Sequence, residues 1–388
     1  MNSPMVRSNI CINCNPEGCK SNVKKDIECV LSHKNAMHKN ATKRTSHHLH
    51  NNPKNVLVIG ASNGYGLASR IVSAFGYDYN TVGLSYERAE SEKKQGTPGW
   101  YHNRAFEEEA KHLDTWHITI EGDAFSKRAK NDVVKVAREM NVQFDLVIYS
   151  IASHQRQDES SNTLYQSCVK PVGTTFDGKT IDVMSCQLKN ISLSPATQDE
   201  INGTIKVMGG EDWKLWMRCL KEASLLSPKG LSIAYSYIGS ALTAPIYKDG
   251  TIGLAKKDLE ASALALNEEL KQIPYRTFIA CMKGIVTRSS AIIPSLPLYL
   301  SALFKVMKEK GCHEGAIEQV MRLFGEKLVG RYEVVTDSSG LIRLDDAELK
   351  DDIQKEVECL MQEAIKTGSL EALDVAGYKN AFLATNGF

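Results

Sequence analysis

The sequence predicts an α/β protein in which a doubly wound parallel sheet carries helices on both faces. Three observations point there. An apolar run, Asn55-Val56-Leu57-Val58-Ile59, leads directly into the glycine-rich turn Gly60-Ala61-Ser62-Asn63-Gly64-Tyr65-Gly66. From that turn as far as Met282, apolar strand-like runs alternate with amphipathic helical stretches, the pattern of a parallel sheet covered on both sides. Far downstream, Tyr247 and Lys256 follow the fifth strand candidate, where such a sheet brings side chains to the mouth of a ligand site. The fold expected is Rossmann-like, with long insertions forming a substrate cleft and a helical C-terminal segment.

Residues 1–54 read as a preface, with a short strand and a helix near 21–31. The polar stretch 32–54, rich in His, Asn and Lys and containing His47-His48-Leu49-His50, has few apolar anchors and is expected to be a flexible connection. Cys11, Cys14, Cys19 and Cys29 fall in the preface. Their first spacing suits zinc, but the later ones follow no zinc-finger grammar. Reduced thiols near a buried strand are the preferred reading, and no metal is expected.

Residues 55–290 carry the sheet. Strands are expected at 55–59, 81–86, 116–120, 145–150, 231–237 and 277–282, and helices at 67–75, 127–139, 210–223 and 251–272. Two stretches exceed a minimal nucleotide fold. One is 153–209, polar and weakly periodic. The other is 291–388, with helices near 298–310, 313–324 and 346–365. Both are read as walls of a substrate cleft, the second packed on the same domain.

Composition narrows the classes of function. At 388 residues and 42% apolar, the chain can bury a large core. Its formal net charge of +1 predicts neither nucleic-acid binding nor attachment to anionic membranes. No apolar run reaches membrane-spanning length, and Met1-Asn2-Ser3-Pro4-Met5-Val6-Arg7 lacks a secretory apolar stretch. Ten scattered cysteines suit a reducing compartment. A cytoplasmic globular protein is expected.

The turn has the spacing G-x-x-x-G-x-G rather than the common G-x-G-x-x-G. Its physics is the same: glycines let the backbone approach a pyrophosphate, and the helix N-terminus presents free N–H groups. Glu87 closes the second strand, where a carboxylate can accept from the adenosine ribose and repel a 2′-phosphate. The bland alternative is an exposed acid at a strand end. Asp123 and Ala124, after the third strand, are placed to meet an adenine. Ser150, Ile151 and Ala152, after the fourth, lie where a nicotinamide ribose would sit. Gly284, Ile285, Val286 and Thr287, after the sixth, offer backbone groups for a carboxamide. Tyr247 and Lys256 stand nine positions apart and cannot share a helical turn. Asp249-Gly250-Thr251 is therefore expected to break the chain, leaving Tyr247 on a loop and Lys256 in a helix capped by Asp249 or Thr251. Taken singly, Tyr247 could be a loop aromatic and Lys256 a solvated helix residue.

Assembled, these residues give a sequence that resembles the trans-2-enoyl-CoA reductases and the FabV-type enoyl-acyl-carrier-protein reductases, large relatives of the short-chain dehydrogenases. Further stretches carry the resemblance over nearly the whole chain: Gly96-Thr97-Pro98-Gly99-Trp100-Tyr101, Val207-Met208-Gly209-Gly210-Glu211-Asp212-Trp213, Tyr235-Ser236-Tyr237-Ile238-Gly239 and Pro297-Leu298-Tyr299-Leu300. The family's Tyr-x8-Lys pair matches Tyr247 and Lys256. The resemblance implies Tyr247 as proton donor, Lys256 on the cofactor and Tyr237 against substrate. It implies NADH contacts at Gly60, Ala61, Ser62, Asn63, Gly64, Tyr65, Tyr86, Glu87, Asp123, Ala124, Ile151, Ala152, Ile285, Val286 and Thr287. It further implies NADH-dependent reduction of the C2=C3 bond of trans-2-enoyl-CoA in fatty acid metabolism, by a chain expected to be a monomer. An acyl-carrier-protein thioester is the alternative substrate, and a non-catalytic dinucleotide-binding protein the remote one. Family descriptions attach a flavin label to the C-terminal part, where this sequence shows no flavin motif.

Overall fold

The structure, a computed structural model, describes residues 3–40, 54–328 and 334–388. The chain opens with a hairpin, β1 (Val6–Arg7) and β2 (Ile10–Cys11), and a long helix, α1 (Pro16–Asn40). The first nucleotide-fold units follow: β3 (Asn55–Ile59), α2 (Gly64–Ile71), β4 (Asn80–Ser85), α3 (Pro98–Ala110), β5 (His117–Glu121), α4 (Lys127–Glu139) and β6 (Phe144–Tyr149). The insertion holds β7 (Gln155–Asp158), β8 (Thr163–Gln166), β9 (Phe176–Asp182), β10 (Gln187–Leu193) and α5 (Gln198–Met208). Then come α6 (Glu211–Glu222), β11 (Leu226–Ser236), α7 (Thr251–Glu269) and β12 (Arg276–Cys281). The C-terminal part comprises α8 (Leu296–Glu309), α9 (Ala316–Arg322), β13 (Ile342–Arg343), α10 (Asp351–Thr367) and α11 (Val375–Ala384).

Seven strands form one parallel sheet in the order β13-β12-β11-β6-β3-β4-β5. The order reverses between β3 and β6, which is where a doubly wound sheet opens a crevice at its carboxyl edge. Every residue of β4 and the last four of β3 are buried, as strands covered on both faces require. One face packs on α1, α2, α3 and α9, through Val58, Phe75, Phe106 and Val320. The other packs on α4, α6 and α7, through Leu57, Val133, Trp213 and Leu259. A third core gathers around α8, where Leu298, Leu303 and Met307 meet Val357, Tyr378 and Phe382 of α10 and α11.

Several expectations need correction. Residues 32–40 continue α1 instead of starting a loop. Val23, Ile27 and Val30 anchor one face of that helix, and propagation beyond an anchored turn costs little. His47, His48 and His50 lie outside the described residues. The weakly periodic stretch 153–209 contains two hairpins, β7-β8 and β9-β10, plus α5 with a Thr197/Glu200 capping box. The hairpins are largely solvated on both faces, so they lack the apolar alternation that announces a strand. Helix α3 went unforeseen, although Thr197-like signals stood at its start too: Thr97 precedes Pro98 at the first helical position.

Candidate active site

The cofactor end is built on the strand–turn–helix unit β3–α2. Gly60 has φ +91, and a Cβ there would stand 2.2 Å from the Ser150 carbonyl oxygen. A Cβ on Gly66 would stand 1.9 Å from the Gly60 carbonyl oxygen. Both glycines are therefore obligatory, because α2 starts in contact with the mouths of β3 and β6. No side chain caps α2. Asn63 instead directs its amide to Ser62 Oγ at 3.2 Å and Glu87 Oε1 at 3.1 Å. The helix N-terminal donors are thus left for a ligand, which fits a pyrophosphate.

Glu87 follows β4 and folds back over the turn, accepting from Ser62 Oγ at 2.6 Å. Its backbone N–H donates to Glu121 Oε2 at 3.2 Å. Tyr86 beside it is 81% exposed. Ile151 follows β6, with its Cδ1 3.1 Å from where a Gly60 Cβ would lie; Ala152 is exposed. Thr287 reaches across from the β12 exit, its Cγ2 3.5 Å from a Cβ built on Gly64. The loop of Ile285, Val286 and Thr287 is fixed by Ser290, which donates to the Ile285 carbonyl at 2.9 Å and accepts from Thr287 N–H at 2.8 Å. Asp123 and Ala124 stand at the mouth of β5, held by their own surroundings: Lys130 Nζ and Trp216 Nε1 donate to the Ala124 carbonyl at 2.9 and 3.0 Å. The Tyr65 phenol points elsewhere, contacting the Lys283 carbonyl at 2.5 Å and Gln319 Oε1 at 2.9 Å. Only its backbone remains at the turn.

Beyond the crevice, Tyr247 lies on the irregular stretch between β11 and α7, as expected from the spacing. Its ring packs edge-on against Tyr237, with centroids 5.0 Å apart at 64°. Burial raises the Tyr247 pKa, with the negative Glu348 adding to the effect. The Tyr237 hydroxyl donates to Glu348 Oε1 at 2.8 Å, whereas the Tyr247 hydroxyl has no hydrogen-bond partner among the described residues. Lys256 sits one and a half turns into α7 and donates to the Tyr235 carbonyl at 3.4 Å. Burial pulls its pKa down to about 8, opposed by Cys281 and Glu260. Lys257 is exposed. Helix α7 is not capped as anticipated: its cap is Gly250, and Thr251 Oγ1 donates to the Cys168 carbonyl at 2.6 Å, tying the helix start to the insertion.

The comparisons with known proteins complete this geometry. The model described as the trans-2-enoyl-CoA reductase catalytic region matches residues 94–329, and that of the family's NAD(P)H-binding domain matches residues 1–92. The chain belongs to the trans-2-enoyl-CoA reductase family. A trans-2-enoyl-CoA reductase [NADH] from Treponema denticola is 48% identical over 99% of this chain and 95% of its own. The crystal structure of the Treponema denticola reductase in complex with NAD superimposes with a TM-score of 0.93, covering 100% of this chain and 95% of the other. An enoyl-[acyl-carrier-protein] reductase [NADH] from Pseudoalteromonas atlantica is 44% identical over 99% of this chain and 94% of its own.

A third model, described as an enoyl reductase FAD-binding domain, matches residues 336–388. In this member of the family those residues do not fit a flavin. They form the edge strand β13 and two helices whose apolar faces are filled by α8, with no glycine-rich phosphate turn among them.

Sequence reasoning missed the residues that support the site. His102 and Asn103, on α3, meet the glycine turn and the β4 mouth. His102 Nδ1 lies 3.0 Å from the Ser62 carbonyl, and burial lowers its pKa to about 4. Asn103 donates to Ser85 Oγ and Glu121 Oε1 at 2.8 and 3.0 Å. Glu348 was hidden because it is one acid among many in an acidic segment. Cys14 and Cys19 pack with Tyr101, and burial pushes Cys19 up to about 12. Among the described residues, no group of three or more His, Cys, Asp or Glu could hold a metal ion.

Proposed function

We propose that this chain is an NADH-dependent reductase of trans-2-enoyl thioesters, acting on the CoA thioester. The observation that carries the reading is the Tyr247 hydroxyl, without a hydrogen-bond partner among the described residues, beside Tyr237 on the stretch that leaves the carboxyl end of β11, the sheet edge at which the glycine turn leaves β3. NADH, when bound, supplies a hydride to C3 of the enoyl thioester. The chain must then meet the negative charge that develops on the thioester oxygen. Tyr247 donates its phenolic hydrogen there, and its raised pKa keeps that hydrogen in place at neutral pH. Lys256 holds the nicotinamide ribose and adds positive potential, being largely protonated below about pH 8. The turn residues Gly60, Ala61, Ser62, Asn63 and Gly64, with the Tyr65 backbone, take the pyrophosphate. Glu87 reads the adenosine ribose beside Tyr86, and Asp123 and Ala124 meet the adenine. Ile151 and Ala152 line the nicotinamide ribose, and Ile285, Val286 and Thr287 the carboxamide. Tyr237 lines the acyl site.

The test is NADH oxidation by purified protein with crotonyl-CoA and with a crotonyl thioester of acyl carrier protein. Turnover with neither rejects the reading. A much higher kcat/KM with the carrier-protein thioester moves the substrate to the second reading, which the 44% identity to the Pseudoalteromonas enzyme favours. Among the described residues no helix is long and apolar enough to cross a membrane. We place the enzyme in the cytoplasm, and as a monomer, since one chain supplies every candidate residue. Light scattering checks the latter.

A further inference from the structure

Glu348 lies between β13 and α10, fully buried and far in sequence from the other candidate residues. Its two oxygens are used differently. Oε1 accepts from the Tyr237 hydroxyl at 2.8 Å and from the Tyr299 hydroxyl at 2.7 Å. Oε2 accepts from the Gly284 N–H at 2.6 Å. Gln354 Nε2 closes the cluster, donating to the Glu348 carbonyl at 2.6 Å and to the Tyr299 hydroxyl at 3.1 Å. Burial raises the Glu348 pKa, opposed by the positive potential of buried Lys283, whose ammonium donates to the Gly284 carbonyl at 2.9 Å, and by the donors themselves.

Three donors converging on one carboxyl group suit an ionised acceptor, since a protonated acid would have to turn one oxygen into a donor. A phenol has one hydrogen, and Tyr237 spends its own on Glu348. Of the two tyrosines packed edge to edge, only Tyr247 keeps a hydrogen to give. Glu348 also grips Gly284, the residue that leads into Ile285, Val286 and Thr287. A Cβ on Gly284 would stand 3.1 Å from the Tyr237 hydroxyl, so the two clamped segments touch.

We infer that Glu348 is a positioning residue: it fixes the Tyr237 ring against Tyr247 and the β12 exit beneath the nicotinamide, and it assigns proton donation to Tyr247 by occupying Tyr237. This rests on the reductase reading above. The carboxylate touches neither substrate nor cofactor; it acts through the phenol and the Gly284 N–H.

Glu348→Gln is nearly isosteric but replaces one acceptor oxygen with a donor, so either Tyr237 or Gly284 loses its partner. The expected result with crotonyl-CoA is a fall in kcat of roughly ten- to a hundredfold, the scale of a misplaced catalytic group. The NADH Kd, followed by cofactor fluorescence, is expected to stay within about threefold, because the turn that holds the pyrophosphate is untouched. In a double-mutant cycle, Tyr237→Phe combined with Glu348→Gln is expected to be no worse than about twofold below the slower single variant, because both remove one linkage. Wild-type kcat in Glu348→Gln, or losses that multiply in the double variant, would overturn the inference. Glu348→Asp retains the charge while withdrawing it by one methylene. It serves if the amide variant does not fold, and unchanged kcat there overturns the inference equally. Wild-type protein inactive on both thioesters would fail the reductase reading itself, which separates the two failures.

Discussion

The two ends of the crevice are constructed on different principles. At the glycine turn, residues 60–66 are contiguous, and the groups left without a side-chain cap are backbone N–H groups whose geometry is set by strand, turn and helix. At the tyrosine end, the parts come from five separate places in the chain: Tyr237, Tyr247, Gly284, Tyr299 and Glu348. They meet only because β11, β12, α8 and the segment before α10 pack together. The first end takes its shape from local conformation, with His102 and Asn103 of α3 bracing it, whereas the second rests on buried side-chain hydrogen bonds. Damage at the first is therefore expected to appear in cofactor use, and damage at the second in turnover.

The largest effect expected is at the second end. Tyr247→Phe deletes the phenolic hydrogen that Tyr237 cannot replace while leaving the ring packed against Tyr237. Loss of one oxyanion donor costs about a hundred- to a thousandfold in kcat. NADH affinity should be near that of the wild type. Turnover close to wild type would hand the donor role to Tyr237 and remove the basis for the contrast.

The same contrast explains what could be read before the structure. The limits of β3 and α4 match the sequence reading, and β4, β5, β6 and β12 lie one residue from it at each end, because a strand buried on both faces writes itself as a continuous apolar run. β11 begins five residues earlier than expected, and the two-residue edge strand β13 was not foreseen. Lys256 in a helix and Tyr247 on a loop followed from a nine-residue separation that one turn cannot span. Glu348 had no such local sign. A buried acid is recognised only by its partners, and Tyr237 lies 111 residues away in sequence. The capping of α7 was misread for a related reason: Thr251 serves the Cys168 carbonyl on the insertion, a partner that a local rule does not see.

Next in size is cofactor choice at the first end. Glu87 holds its carboxylate over the turn, with Glu121 behind it, so a 2′-phosphate would meet two acids. Repulsion of roughly 1–2 kcal/mol in a partly buried site corresponds to about a five- to thirtyfold preference for NADH. Arg88, whose guanidinium donates to the Gln95 carbonyl at 3.3 Å, keeps its charge and offsets part of this repulsion. In Glu87→Ala the ratio of kcat/KM for NADH over NADPH is expected to shrink about tenfold. An unchanged ratio would mean that another group reads the ribose.

Lys256 belongs to both ends, and pH separates its role from theirs. Its pKa of about 8 lies below the ordinary lysine value, so the group is charged below pH 8 and loses its charge as pH rises through that point. If that charge supports the reaction, kcat/KM falls as pH rises above about 8, by up to tenfold per unit. Lys256→Arg stays charged over this range and should flatten the profile, even if its absolute rate is lower. Lys257→Ala, an exposed change one step around α7, should leave both rate and profile within about twofold. Damage from Lys257→Ala and tolerance of Lys256→Ala would show that the register is shifted.

The smallest effect tests where the first end stops. Tyr65 lies inside the glycine turn, yet its phenol faces away, between the Lys283 carbonyl and Gln319 Oε1. Gln319 has a second donor in the Lys283 N–H at 2.8 Å, so it stays satisfied without Tyr65. The Lys283 carbonyl loses its phenolic partner. Tyr65→Phe should therefore lower the unfolding free energy by about 1 kcal/mol, the net scale of one buried hydrogen bond. Its ring would still pack on Tyr235, 5.7 Å away between centroids, so no cavity opens. The Kd for NADH should move by less than about twofold, because the turn's contribution to a pyrophosphate comes from backbone N–H groups that the substitution leaves in place. Equilibrium denaturation and cofactor fluorescence on the same preparation distinguish the outcomes. A tenfold weaker Kd with unchanged stability would put the phenol on the cofactor and extend the backbone-built end into side-chain recognition.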